Sequence, residues 1–184
     1  MESAKVTGKW LSARLARLQL KYVLIFALVN ILFLMLMKTF VVKLALFTVC
    51  AIVIYRFGRL PFGDFDPFPV AAGLLLLWYG FSTALQFILW TIPLVDIIAA
   101  RLSQWSAVNF FSLSAALAVV SLLNPNPVSA LILIVVLFNL IRLPITLLLG
   151  GGPNSFIPAS TNSLFYLIVL SLMTPIIEIS LKLF

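Results

Sequence analysis

Long apolar runs, separated by short clusters of turn-forming and basic residues, set the pattern of this chain. Six runs stand out: Tyr22–Met37, Phe40–Phe57, Phe68–Trp90, Trp105–Leu123, Val128–Leu149 and Ser163–Leu183. A helix crosses a bilayer with about 20 mainly apolar residues, so the pattern predicts an all-α transmembrane bundle of six spans. Only Lys38 and its neighbours separate the first two runs, which predicts a tight helical hairpin. Residues 58–67 form the first real loop, dense in glycine, proline and aspartate. Asn124-Pro125-Asn126-Pro127 reads as a sharp turn. Gly150-Gly151-Gly152-Pro153 opens a second loop, expected to run to about Asn162 and to serve as a flexible lid.

The stretch from Phe68 to Ser103 is too long for one upright helix and short for two. Pro93 predicts a break after Trp90, followed by a short helix from Pro93 to Leu102 that carries Asp96 and Arg101. A rival division near Gly80-Phe81-Ser82 gives seven spans. Its first piece, Phe68–Tyr79, falls well below the roughly 17 residues that a span needs, so six is preferred. Pro175 is expected to kink the last span.

Upstream of the first span, Leu11, Leu15, Leu18 and Tyr22 make one apolar stripe, with Arg14, Arg17 and Lys21 beside it. This predicts an interfacial amphipathic helix on the membrane surface; a basic tail fraying into a helix fits as well. The organisation expected is a basic N-terminal segment, residues 1–21, and a single transmembrane helical domain, residues 22–184.

Composition narrows the class. The chain has 184 residues, 64% hydrophobic and 9% charged, with a mean hydropathy of +1.23. Soluble domains are about 25% charged, so a soluble domain, a disordered chain and a disulfide scaffold are all excluded. Cys50 is the only cysteine. The net charge of +7 is concentrated at Lys5, Lys9, Arg14, Arg17 and Lys21, against Glu2 alone. That placement fits a cytoplasmic flank facing anionic lipid, not nucleic acid, and predicts a multi-pass integral membrane protein with its N-terminus inside. The positive-inside count does not separate six spans from seven.

Ionisable groups within spans are costly, which makes each one a functional candidate. Asp96 and Arg142 both fall toward the outer half of the six-span arrangement. They are expected to pair with each other or with a bound solute, or to sit at headgroup level. Glu178 precedes Lys182 by four residues, a local helix pair. Asn30, Gln86, Asn109 and Asn139 lie inside apolar runs, where each needs a hydrogen-bond partner or a cavity. Asn109 and Asn139 join Asp96 and Arg142 as the candidate ligand-binding set. Ala107, Ser114, Ala118 and Ser121 share one stripe of the fourth run, interrupted by Phe111. Small residues there let helices approach closely, inside the bundle or against a partner.

What is missing also counts. With no histidine there is no Ser-His dyad, no His-Glu-x-x-His zinc site and no ordinary haem ligand set. Asp64 and Asp66 supply too few oxygens for a cation site and read as an interfacial turn anchored by phenylalanine. The glycine run at Gly150 lacks the Lys-Ser/Thr of a phosphate-binding loop. No metal, cofactor or enzymatic activity is expected.

Phe65-Asp66-Pro67-Phe68-Pro69-Val70-Ala71-Ala72-Gly73 resembles the polar-proline entry to a middle helix in two related groups of small six-helix membrane proteins. These are the substrate-binding S-components of energy-coupling-factor vitamin transporters and the rod-shape MreD proteins. In the latter an aspartate follows the proline by about thirty residues, and Asp96 is similarly placed after Pro67. The Asn162–Glu178 end, with Pro175, is similar to the final helix of the group. The S-component pattern of alanines on the first helix is not evident, since Ala27 stands alone, and a charged tail after the last helix is missing. The resemblance implies a membrane subunit that binds a small solute for uptake and depends on a partner module for energy. Two other readings stay open: a non-catalytic membrane scaffold that contacts lipid or a protein partner, and, last, a lipid-modifying enzyme.

Overall fold

The structure, a computed structural model, describes residues 38–57, 65–152 and 156–183. The expected first span with Asn30, the interfacial helix with Arg14, Arg17 and Lys21, the boundary at residue 21 and most of the 58–67 loop lie outside the described residues. Residues 1–42 and 43–184 form two separate units, and the account below concerns the second.

Every described element is helical. The elements are α1 (Lys38–Phe57), then α2 (Phe68–Tyr79), α3 (Phe81–Ile98), α4 (Gln104–Leu123), α5 (Pro127–Leu148), α6 (Phe156–Leu172) and α7 (Thr174–Leu183). Four of them, α1, α3, α4 and α5, are long and apolar enough to cross a membrane, and α6 with α7 makes a fifth if the bent pair is one span. These helices are compatible with an integral membrane protein. α5 lies at the centre of the packing, against α4, α6, α2 and α7. Leu131 and Val135 of α5 meet Tyr166 and Leu170 of α6 and Ile177 of α7 in one buried cluster.

The largest departure from expectation falls between Phe68 and Ser103. The chain breaks at Gly80, not after Trp90, and α3 runs through Pro93 to Ile98. Gly80 has φ 85° and ψ 173°, a backbone region open essentially to glycine alone. Its N–H donates to the Leu76 carbonyl, closing α2, and its own carbonyl accepts from the Ala84 N–H, opening α3. Pro93 removes only one ladder bond, a loss that helices in apolar surroundings tolerate. The dividing point is therefore that of the rival reading. Yet α2, at 12 residues, rises only about 18 Å and stays too short to cross alone.

The turns follow their chemistry. Asn124 ends α4 at φ 43°, ψ 52°, the left-handed conformation that asparagine tolerates. Asn126 then caps α5, its Oδ1 accepting from the Ser129 N–H at 2.9 Å, with Pro127 in the first helical turn. α5 and α3 end alike. Gly151 N–H donates to the Thr146 carbonyl and Gly150 N–H to Leu147, with Gly150 at φ 88°. Arg101 N–H donates to the Asp96 carbonyl and Ala100 N–H to Ile97, with Ala100 at φ 52°. Both are Schellman closures, but at the end of α3 an alanine holds the position that usually takes glycine.

The second loop is shorter than expected. α6 begins at Phe156, so residues 156–162 belong to a helix and not to a lid. Past Leu172 the axis bends by 67° into α7. Pro175 has no N–H for the Ser171 carbonyl, and Thr174 Oγ1 donates to it at 3.0 Å instead. The expected kink at Pro175 is present.

Candidate functional site

Asp96 sits in the last turn of α3 and is almost fully buried. The Schellman closure brings Arg101 back over it. Arg101 Nε donates to Asp96 Oδ1 at 2.6 Å, and Ser106 Oγ donates to Asp96 Oδ2 at 2.5 Å. The ion pair on Asp96 is with Arg101, so of the arrangements open to Asp96 and Arg142 a direct pair between the two is not the one present among the described residues. The local turn decides this, because it fixes Arg101 beside the carboxylate whatever α5 does.

The start of α4 is built around the same carboxylate. Ser103 is extended and its hydroxyl accepts from the Trp105 N–H at 3.3 Å. Ser106 Oγ accepts from the Ser103 N–H at 3.4 Å, completing a capping box. Ser106 therefore links the helix cap to Asp96. The positive end of the α4 dipole faces the carboxylate as well, which favours its charge.

Asp96, Arg101, Ser103, Trp105, Ser106, Asn109 and Arg142 line one cavity of about 220 Å³. Only Trp105 among them is neither charged nor built around a hydroxyl or carboxamide. Arg142 reaches it from α5, its guanidinium carbon 5.6 Å from the centre of the Phe138 ring. Asn109 is 5% exposed, and its Oδ1 has no hydrogen-bond partner among the described residues. Three of the four expected ligand-binding residues, Asp96, Asn109 and Arg142, thus share one cavity although they come from three helices.

Asn139 does not line it. Its Nδ2 donates to the Val135 carbonyl at 3.0 Å and to Ser163 Oγ at 2.9 Å, tying α5 to α6. Three residues along a helix turn a side chain by about 60° net, so Asn139 and Arg142 meet different neighbours. Gln86 is exposed and accepts from Lys43 Nζ at 3.3 Å. Glu178 and Lys182 are both exposed on α7, with no ion pair between them among the described residues. The small-residue stripe of α4 faces outward: Ala107 and Ser121 are exposed, Ser114 and Ala118 half-buried, and Phe111 is 65% exposed. The face of α4 packed inside the bundle is Val108, Ser112, Leu113, Ala116, Leu117 and Val120, so the stripe is not an interior packing face.

The sequence pattern passed over Ser103 and Ser106. Ser-x-x-Ser ahead of an apolar run is a variant of the capping box and was the available signal. The sequence places Asp66 in an interfacial turn, whereas the structure buries it completely. Its Oδ1 accepts from the Phe68 N–H at 3.1 Å, and its own N–H donates to Asn162 Oδ1 at 3.4 Å. Asp-Pro at a helix start, here Asp66-Pro67, is the clue that pointed there. Phe65 stacks edge-on against Phe165, ring centres 4.9 Å apart.

No family model matches the chain, and no curated protein or solved structure matches it significantly. Among the described residues no group of histidine, cysteine, aspartate or glutamate side chains is arranged to hold a metal.

Proposed function

We propose that this chain is an integral membrane protein that binds a small polar solute in the Asp96–Arg142 cavity. In this reading it is the recognition subunit of an uptake system and draws its energy from a partner module. The observation that carries the reading is the convergence of Asp96, Asn109 and Arg142 on one half-open cavity. Apolar bundles do not collect charge without a use for it. Chemistry is not required of the site, since Asp96 is already held by Arg101 and Ser106. The resemblance to S-components and rod-shape proteins agrees in size and in the Pro67–Asp96 spacing.

A thermal-stability screen of the purified protein against small polar metabolites tests this. A solute at a hundredfold its Kd stabilises the folded state by about 2.7 kcal/mol. At least one solute should do so in the natural protein and fail in Arg142→Gln. If no small polar solute shifts the unfolding transition, the reading is wrong. The second reading, a scaffold, is supported by the outward stripe of Ala107, Ser114, Ala118 and Ser121, which suits close docking of a partner helix. It predicts a complex that survives loss of Asp96 and Arg142 but not bulky substitution of Ala118.

A further inference from the structure

Several serines and threonines within the helices bond back to their own backbone. Ser114 Oγ donates to the Phe110 carbonyl at 2.8 Å, Ser171 Oγ to Leu167 at 2.7 Å and Thr48 Oγ1 to Leu44 at 2.9 Å. A hydroxyl in an apolar helix is commonly met in this way. Ser112 departs from the pattern. It is completely buried, and its Oγ has no hydrogen-bond partner among the described residues. One turn nearer the start of α4, Asn109 is nine-tenths or more buried and lines the half-open cavity. Its Oδ1 is likewise unmet among the described residues.

Buried polar groups nearly always have a partner, and one left unmet costs free energy that a ligand recovers. Residues three apart adjoin on a helix surface, with Cβ atoms about 5–6 Å apart. A single oxygen bonded to both side chains at about 2.8 Å spans such a gap. Asn109 Oδ1 can only accept, so the bridging group must donate to it. The Ser112 hydroxyl carries a proton of its own that needs an acceptor. One hydroxyl meets both demands. An ammonium has no lone pair for the serine proton, and an ionised carboxylate has no proton for Asn109. Beside this pair the cavity offers the hydroxyl of Ser103 and the ring of Trp105, a second polar contact and an apolar face.

We propose that the cavity takes an uncharged solute with several hydroxyls, a polyol or sugar. One hydroxyl bridges Asn109 and Ser112, donating to Asn109 Oδ1 and accepting from Ser112 Oγ, while Trp105 packs against the carbon frame. The assignment rests on the solute-binding reading above and gives it a ligand class.

The test uses the full chain in nanodiscs of phosphatidylcholine. Calorimetric titration at millimolar concentrations and below compares glycerol, ribitol, sorbitol and glucose with acetamide, methylammonium and glycerol 3-phosphate. At least one of the four hydroxylated solutes is expected to bind, and the amide and the ammonium ion are not. Asn109→Leu should weaken that solute by about tenfold or more, and Ser112→Ala by about fivefold, the losses expected for buried hydrogen bonds. Ser114→Ala is the control, because that hydroxyl is already bonded to its own helix; it should leave the affinity unchanged. Binding that survives both Asn109→Leu and Ser112→Ala overturns the proposed bridge. Binding of acetamide, methylammonium or glycerol 3-phosphate in preference to all four overturns the ligand class and leaves solute binding standing. If none of the four binds and Ser112→Ala lowers the unfolding midpoint of the free protein, the pair holds a structural water only. If none binds and the midpoint is unchanged or higher, the assignment fails as well. In both cases the metabolite screen decides the broader reading on its own.

Discussion

Replacing Gly80 with alanine tests the break between α2 and α3. The residue has φ 85° and ψ 173°, and a Cβ built there meets nothing within 4 Å. The cost is therefore purely conformational, about 1–3 kcal/mol for a side chain held in that region. Alanine also narrows the unfolded ensemble, which returns about 0.4–1 kcal/mol. The net expectation is a loss centred on about 1.3 kcal/mol, with bounds of about 0 and 2.6 kcal/mol, or a factor of about ten in the folding equilibrium. Reversible unfolding in mixed micelles with rising dodecyl sulfate provides the assay. Trp78, half-buried on one side of the break, and Trp90, 68% exposed on the other, report it by fluorescence. Gly152→Ala is the control, because that position is open and has no positive φ; it should stay within about 0.5 kcal/mol. A Gly80→Ala protein as stable as the control, or more so, would refute the reasoning. It would mean that residues 68–98 prefer one continuous helix.

Two further substitutions probe packing and the end of α3. Gly73→Ala sets a Cβ 2.6 Å from Leu131 Cδ2 and 3.1 Å from Ile134 Cδ1, both on fully buried residues of α5. Overpacking costs about 1–3 kcal/mol and the better helix propensity of alanine returns about 1 kcal/mol, so the net loss should be about 0–2 kcal/mol in the same titration, and a gain of about 1 kcal/mol would show that α2 and α5 are not so close. Ala100→Gly relieves the left-handed conformation at φ 52°. It should raise the melting transition, with a gain of about 0.5–1 kcal/mol after the greater freedom of unfolded glycine is subtracted; a loss would show that α3 ends differently.

Apolar run length made α1, α4 and α5 legible, because each is a single long run closed by turn formers. The Asn124–Pro127 turn was legible residue by residue, since asparagine and proline have few places to go. Gly80 was not, because one glycine in an apolar run carries no mark of its φ, whereas proline advertises a break that a membrane-type helix can absorb. Scarcity of charge picked out Asp96 and Arg142, and the structure sets them around one cavity. Their partners were harder to see. Arg101 reaches Asp96 through a turn with alanine where glycine is usual, and Ser106 through a cap whose third residue is serine and not glutamate. Asp66 was missed because burial depends on α6, which is far away in the chain.

That distance puts a clock on assembly. Asp66 and its partner Asn162 are 96 residues apart. At about 5–20 residues per second, a ribosome needs about 5–20 s to make the second after the first. For that interval the N–H of Asp66 has only water, lipid headgroups or a translocation channel to bond. The Asn139–Ser163 bond between α5 and α6 waits on the same stretch of chain. α6 therefore completes polar groups that were set down early, and a nascent chain halted before residue 162 holds Asp66 without its bond to Asn162. A truncation series spanning residue 162 marks the length at which the entry to α2 becomes protected from hydrogen exchange.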